Sequence, residues 1–378
     1  MLWIAWKMLI GNRVKYLGIV FGVVFAALLI AQQSSIFCGL MFLTVSQIRD
    51  VEGPGIWVMD PNVQFIDDIK PLPDTDLFRV KGVSGVEWAV RFYKGLARAR
   101  MEQGEFHQMI LLGIDDATLV GAPEGIFMGS LADLRKPHAV LLDDAGYKQI
   151  WPGEPYILGR VFEMNDRRAV VVGITKASRT FQTFPIVYTL YSRAVLFAPP
   201  ERKVLSFVLA QPRPGLNATA VCQEITAQTG LQALTREAFM QKTIRHFLAK
   251  TGIPVNFAIT VLLGFIVGTA IAGQTFYLFT VENIKQFGAL KAMGTSNWTI
   301  LVMVLAQAMQ VGAIGYGLGV GLAALFGWGS RGFTKLAFFM PWQVLAITAV
   351  AVFFIVVLAS LLSIRRVLVV DPAIVFRG

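Results

Sequence analysis

Apolar positions along this chain fall into two kinds of run. Four stretches, 16–48, 251–281, 292–330 and 336–364, contain no Asp, Glu, Lys or Arg. Each is longer than the roughly 20 residues a helix needs to cross a hydrocarbon core. Spanning helices are therefore predicted at 16–48, 255–280, 300–326 and 341–364. Between the first and the second the pattern changes. Short apolar runs at 86–92, 107–114, 138–142, 169–175 and 204–211, separated by Gly, Pro and Asp, predict strands. After the last of them, Asn217 is placed to cap a short helix, 218–229, that Gly230 ends. The fold class that follows is an α-helical membrane protein, with four transmembrane helices and a large α+β external domain inserted between helices 1 and 2. The centre of that domain, about 116–200, reads as an insertion into an outer part.

Composition agrees with the pattern, since only 15% of residues are charged against about a quarter in soluble domains. The formal net charge of +10 is unevenly placed. Eight Lys and Arg lie in 1–15, 282–299 and 365–378, while the short loop 327–340 holds only Arg331 and Lys335. The positive-inside tendency then puts both termini in the cytosol. Residues 46–250 carry 24 basic and 22 acidic side chains, so the excess belongs to the membrane flanks, beside anionic lipid headgroups. No aromatic-basic repeat accompanies it, and nucleic acid is not an expected partner.

Lengths add two expectations. The first apolar stretch follows Lys7, Arg13 and Lys15 and far exceeds a signal-peptide core, so it reads as an uncleaved anchor. As a helix it would be about 50 Å long, so it should project beyond the bilayer. Before the second span, Phe239, Thr243, Ile244, Phe247 and Leu248 recur at helical spacing among Glu237, Lys242, Arg245 and Lys250. That pattern reads as an amphipathic helix running into the membrane, the two projections forming a stalk, or as an ordinary surface helix.

Candidate chemistry is sparse. No ionisable residue lies inside a span, which argues against a proton- or sodium-driven carrier. Gln274, Gln307 and Gln310 read as interhelical hydrogen bonds. Gly18, Gly22, Gly264, Gly268, Gly315 and Gly319 are placed to let helices approach closely, within one copy or between two, and Gly317 and Gly321 crowd the same span. There is no Gly-Lys dipeptide and hence no P-loop. The chain is expected to bind no cofactor itself. Cys38 and Cys222 read as buried free thiols, with a pair between them the alternative, and His107, His138 and His246 stand apart from any metal-ligand spacing. The pairs Asp67/Asp68, Asp74/Asp76, Asp115/Asp116 and Asp143/Asp144 could serve acid–base chemistry, but turns use Asp for local hydrogen bonds and are the favoured reading. The aromatic-rich run from Phe181 to Tyr191 reads as core, or else as an apolar surface facing a ligand or partner.

Residues 281–300, VENIKQFGALKAMGTSNWTI, carry the most specific signal. Phe287-Gly288-Ala289-Leu290-Lys291-Ala292-Met293-Gly294-Thr295-Ser296 resembles the cytosolic coupling segment of FtsX/MacB-type ABC transporter permeases. The ending from Arg365-Arg366-Val367 to Asp371-Pro372-Ala373 is similar to that family's C-terminus. Ala5-Trp6-Lys7-Met8-Leu9 with Asn12-Arg13 looks like its N-terminal amphipathic cytosolic helix, and Gly82-Val83-Ser84-Gly85-Val86 resembles its Pro-Gly-Val turn, with Ser in place of Pro. The family's order of parts implies these segments: 1–15 cytosolic helix, 16–48 first span and stalk, 49–235 external domain, 236–280 stalk helix and second span, 281–299 coupling helix, 300–326 and 341–364 further spans, and 365–378 cytosolic tail.

The resemblance implies a homodimeric permease without a fused nucleotide-binding domain, in a bacterial inner membrane, bound to a separate ABC ATPase that holds ATP and Mg. It also implies a periplasmic membrane-fusion adaptor and an outer-membrane channel. Expected ATPase contacts are Ile284, Lys285, Phe287, Gly288, Leu290, Lys291, Met293 and Gly294, with Lys7 and Arg13 in support. No catalytic or metal-binding residue is expected. The rival readings are a force transmitter that activates an external cell-wall hydrolase, and a membrane enzyme using the aspartate pairs.

Overall fold

The computed structural model describes residues 2–11, 13–199, 205–333 and 336–368. In chain order the helices are α1 (Leu2–Gly11), α2 (Arg13–Thr44), α3 (Ser46–Arg49), α4 (Thr75–Lys81), α5 (Asp144–Ile150), α6 (Tyr191–Phe197), α7 (Ala218–Thr229), α8 (Arg236–Lys250), α9 (Ile253–Glu282), α10 (Ile284–Ala292), α11 (Asn297–Phe333) and α12 (Trp342–Leu368). The strands are β1 (Ile56–Met59), β2 (Val86–Arg100), β3 (Phe106–Ile114), β4 (Ile126–Gly129), β5 (Ala139–Asp143), β6 (Val161–Met164), β7 (Arg167–Thr175), β8 (Ile186–Leu190), β9 (Phe207–Pro212) and β10 (Gln232–Thr235). The chain divides into a helical unit, up to Leu40 and from Gly252 onward, and a sheet unit, Met41–Thr251. Asn12 and the expected Asp371-Pro372-Ala373 element lie outside the described residues.

Helices α2, α9, α11 and α12 are long and apolar enough to cross a membrane. The first expected span and its projection are one continuous helix that stops at Thr44, because Val45 leaves helical geometry (φ −110°, ψ 2°). The second projection differs from expectation. Helix α8 ends at Lys250, and α9 starts anew at Ile253 with Pro254 in its first turn, where a preset φ and a missing N–H suit a helix start. The amphipathic segment and the span are thus two helices.

Inside the helical unit α2 is gripped on two sides by glycine faces. A methyl group added at Gly22 of α2 would come within 2.7 Å of Ile271 on α9, and one at Gly264 of α9 within 3.3 Å of Leu29. Gly268 would strike Ala26, Gly315 of α11 would come within 2.5 Å of Val23, and Gly319 within 2.6 Å of Ala27. Gly18 meets Thr275 at an ordinary 3.6 Å. All six predicted packing glycines therefore serve contacts within one copy, which leaves none of them as a free face for a second chain. Gly317 and Gly321 point into open space. Gln307 makes the expected interhelical bond, its Nε2 donating to the carbonyl of Ala5 at 2.7 Å, whereas Gln274 is exposed.

In the sheet unit ten strands form one mixed sheet in the order β10-β1-β9-β2-β3-β8-β5-β7-β4, with β6 pairing β2 and β7. Residues 116–200 contribute β4 to β8, and these join the outer strands through the parallel β3–β8 pair and the antiparallel β2–β6 pair. Both faces of the sheet are covered. Ile56 and Val58 of β1 belong to one apolar cluster, and Trp57 and Met59 to the other. The predicted helix at 218–229 is α7, with Asn217 accepting from Thr219 N at 2.8 Å and Gly230 in left-handed geometry at φ 73°.

Asp143 shows why the paired aspartates of this unit are structural. Its carboxylate accepts from Gly146 N (3.0 Å), capping α5, and from Ile186 N (2.7 Å), fixing the start of β8. Asp144 bonds Tyr156 and Lys148, Asp67 pairs with Lys94, Asp76 with Arg79, and Asp116 accepts from Ser192. Helix capping accounts for Asp143, whereas the others are held in ion pairs and non-local hydrogen bonds that the favoured turn reading did not foresee.

Two expected outcomes follow. Gly268→Leu or Gly319→Leu should lower the stability of the helical unit by about 1–3 kcal/mol through overpacking, read as thermal unfolding in detergent. Gly317→Leu should leave it unchanged. Burial pushes the Asp143 carboxyl up to about 6, against the two backbone donors that favour its charged form. The folded state therefore holds this proton between about pH 4 and 6 while the unfolded chain has lost it, so the contribution is present below that window and falls as pH rises through it. The sheet unit should resist urea better at pH 5 than at pH 7, and Asp143→Asn should remove most of that difference.

Candidate functional site

The segment between α9 and α11 is built by two corners. At the first, Asn283 leaves helical geometry and its carbonyl accepts from Gln286 N (3.0 Å) and Phe287 N (3.1 Å), starting α10. At the second, Thr295 N donates to the carbonyl of Leu290 (3.1 Å) and Gly294 N to that of Lys291 (2.9 Å). This is the paired bonding of a Schellman stop, which needs a left-handed residue after the helix. Gly294 supplies it, at φ 89°. Ser296 then caps α11, its Oγ accepting from Thr299 N at 3.2 Å. The run Gly294-Thr295-Ser296 is thus a helix stop followed at once by a helix start, and α10 is a rigid nine-residue rod between two fixed bends.

Burial divides the contacts that the resemblance implied into two sets. Phe287, Gly288 and Leu290 are buried within the chain. Phe287 and Leu290 form a cluster with Ala5 of α1, with Ile300, Met303 and Val304 of α11 and with Ile364 of α12. They are internal fasteners and are not available as surface anchors for a partner. The reason is geometric: a short helix wedged against three others turns its bulkiest apolar face toward them. Ile284 and Lys291 are half-buried. The outward side carries Lys285, Gln286, Ala292, Met293 and Gly294.

Met293 is 74% exposed, and just across the corner Trp298 is 72% exposed. Trp298 lies within the predicted coupling segment 281–299 but was not among its expected contacts. Its signal was available, as a large aromatic two positions after the Ser296 helix cap. Helix α1, the expected N-terminal helix, lies beside this corner. Ala5 and Leu9 face inward while Trp3, Trp6, Lys7 and Ile10 face outward, with the Lys7 ammonium 4.1 Å from the Trp3 ring. Lys15, at the start of α2, forms an ion pair with Glu282 at the end of α9. Arg13 is exposed. A cleft of about 450 Å³, lined by Lys7, Met8, Gly11, Glu282, Asn283 and Gln286, separates α1 from the first corner. No group of three or more His, Cys, Asp or Glu able to hold a metal occurs among the described residues.

Comparison with known families decides the class. The MacB-like periplasmic core domain matches residues 16–228, more than half the chain, and the FtsX-like permease C-terminal domain matches 256–372. The chain belongs to the FtsX/MacB-like permease family. An uncharacterised ABC transporter permease of Mycobacterium tuberculosis, found in two strains, is 25% identical over 311 residues, covering 82% of this chain and 80% of the relative. Two solved domains are also similar. The periplasmic region of MacB from Actinobacillus actinomycetemcomitans is 16% identical, with a TM-score of 0.38, covering 54% of this chain and 96% of that domain. The extracellular domain of the ABC-type transporter YknZ from Gram-positive bacteria is 15% identical, with a TM-score of 0.34, covering 48% and 99%. For this permease the family implies an ATPase partner, and the four spans make it a multi-pass membrane protein.

The packing separates fasteners from surface residues by stability. Phe287→Ala should cost about 3–5 kcal/mol, the range for removing a buried aromatic, and Gly294→Ala about 1 kcal/mol from left-handed strain. Met293→Ala should change thermal unfolding by less than either.

Proposed function

We propose that this permease is the membrane subunit of an ATP-driven exporter whose ATPase is carried on another chain. Two copies sit in a bacterial inner membrane with both termini cytosolic, and each receives an ATPase at the α10 corner. The ATPase, holding ATP and Mg, grips the outward side: Lys285, Met293, Gly294 and Trp298. The observation that carries this reading is the pair of large apolar side chains, Met293 and Trp298, displayed on either side of a hydrogen-bonded bend. An exposed Trp beside a flexible Met, on a rigid frame, suits an interface anchor.

The inward side explains how a push could travel. Because Phe287 and Leu290 lock α10 to α1, α11 and α12, a displaced corner moves those helix ends together. Glycine contacts join α11 and α9 to α2, which runs unbroken to Thr44, its last turn in the sheet unit. In this reading the sheet unit faces the periplasm and drives efflux or release of a substrate, with a membrane-fusion adaptor and an outer-membrane channel. The spans transmit force, and the absence of ionisable residues inside them fits that role.

The test is ATPase stimulation by the reconstituted permease. Met293→Ala with Trp298→Ala should reduce stimulation and co-purification of the ATPase at least tenfold with thermal unfolding unchanged. Stimulation retained in that double variant would overturn the reading of the corner. Substrate-dependent ATP hydrolysis would support export, whereas ATP-dependent activation of a bound cell-wall hydrolase, without substrate dependence, would point to force transmission alone.

A further inference from the structure

The cleft between α1 and the first corner of the coupling segment has a lining of unusual charge. Glu282 is the only acidic residue in 1–49 and in 251–370, and it stands in the wall of this cleft, where Lys15 pairs with it. With that pair neutral, Lys7 supplies the net positive charge of the lining. Its ammonium sits 4.1 Å from the Trp3 ring, a contact that orders the side chain without cancelling its charge. Asn283 and the exposed Gln286 add amides from the opposite wall. The volume of about 450 Å³ lies in the range of small-ligand sites, which are ordinarily apolar. Here four of the six lining residues are charged or amides, so the fitting occupant is polar, and the charge of the lining asks for an anion.

Position says where that anion comes from. The exposed apolar side chains of α2 begin at Val14, 80% exposed, and continue through Leu17 and Phe21. Those of α9 end at Leu278 and Val281. Val14 is three residues from Gly11 and Val281 is next to Glu282, so both apolar stripes stop at the rim of the cleft. Helix α1, the other wall, exposes Trp3 and Trp6, and such rings favour the headgroup level of a bilayer. A free anion on one exposed lysine is screened by salt and held weakly. A lipid escapes that limit, because chains lying along the apolar stripes keep its phosphate at high local concentration.

We infer that this cleft is a site for the headgroup of a monoanionic phospholipid, with the phosphodiester on Lys7 and Gln286 beside it. A headgroup seated there bridges α1 to the start of α10, two helices already joined through Ala5 and Phe287. The inference goes beyond the proposed function, since it concerns a lipid and requires no ATPase.

The test is native mass spectrometry of the full chain in detergent, titrated with phosphatidylglycerol, phosphatidylethanolamine or phosphatidylcholine of matched chains. Inorganic phosphate and glycerophosphoglycerol serve as soluble probes. The expected result is one phosphatidylglycerol per chain, bound at least fivefold more tightly than either zwitterionic lipid, with neither soluble probe retained. Lys7→Gln and Gln286→Glu should each weaken that binding at least fivefold. Lys285→Gln, which removes an exposed charge next to Gln286 but outside the lining, should change it less than twofold. All three side chains are exposed, so each variant should unfold in lipid-free detergent at the temperature of the parent. Equal affinity for the zwitterionic lipids, retention of inorganic phosphate or glycerophosphoglycerol, or an equal loss in Lys285→Gln would overturn the inference. Binding indifferent to Lys7→Gln would do the same. With no ATPase in the assay, these outcomes are independent of the contact at Met293 and Trp298.

Discussion

Close backbone approach across α2 is the constraint on which the helical unit depends. Lipid tails are as apolar as Leu, so burying apolar side chains does not drive spanning helices together. Contact must come from shape. Gly264 and Gly268 of α9 and Gly315 and Gly319 of α11 let those helices come so near that Leu29, Ala26, Val23 and Ala27 of α2 fill the space where side chains would stand. With α2 gripped from both sides, α2, α9 and α11 pack as one body.

The coupling corner is the same principle at a smaller scale. Its bends are set by hydrogen bonds, a left-handed glycine and a serine cap, so α10 has little freedom of its own. Its largest side chain, Phe287, is spent inward against α1, α11 and α12. A rod locked in this way passes displacement on to its neighbours. Met293 and Trp298 stay outward and exposed, while Phe287 and Leu290 pack inward.

Much of this was legible along the chain. The four spans were visible because a bilayer demands long uncharged runs, and α7 because Asn217 and Gly230 mark a helix by local hydrogen bonding. Strands β2, β3, β5, β7 and β9 were found, though β2 runs on to Arg100. Strands β1 and β8 escaped. Every residue of IWVM and of IVYTL is buried, so neither shows the alternation of a half-covered strand. β8 was correctly sensed as core but not as a strand. β4, β6 and β10 are four residues each, too short to show a period at all.

By itself the sequence determined the class of the protein, its four spans and the capped helix α7. Each of these rests on local chemistry: the length of an uncharged run, a cap, a glycine that can adopt positive φ. Only the tertiary structure decided how those parts are used. Phe287 and Met293 are both apolar residues on the outside of a predicted helix, and nothing local says which of them meets its own chain. That depends on where α1 and α12 arrive from opposite ends of the sequence. The glycines likewise signal close approach in any context, and only the placement of α2 between α9 and α11 assigns them to contacts within one copy.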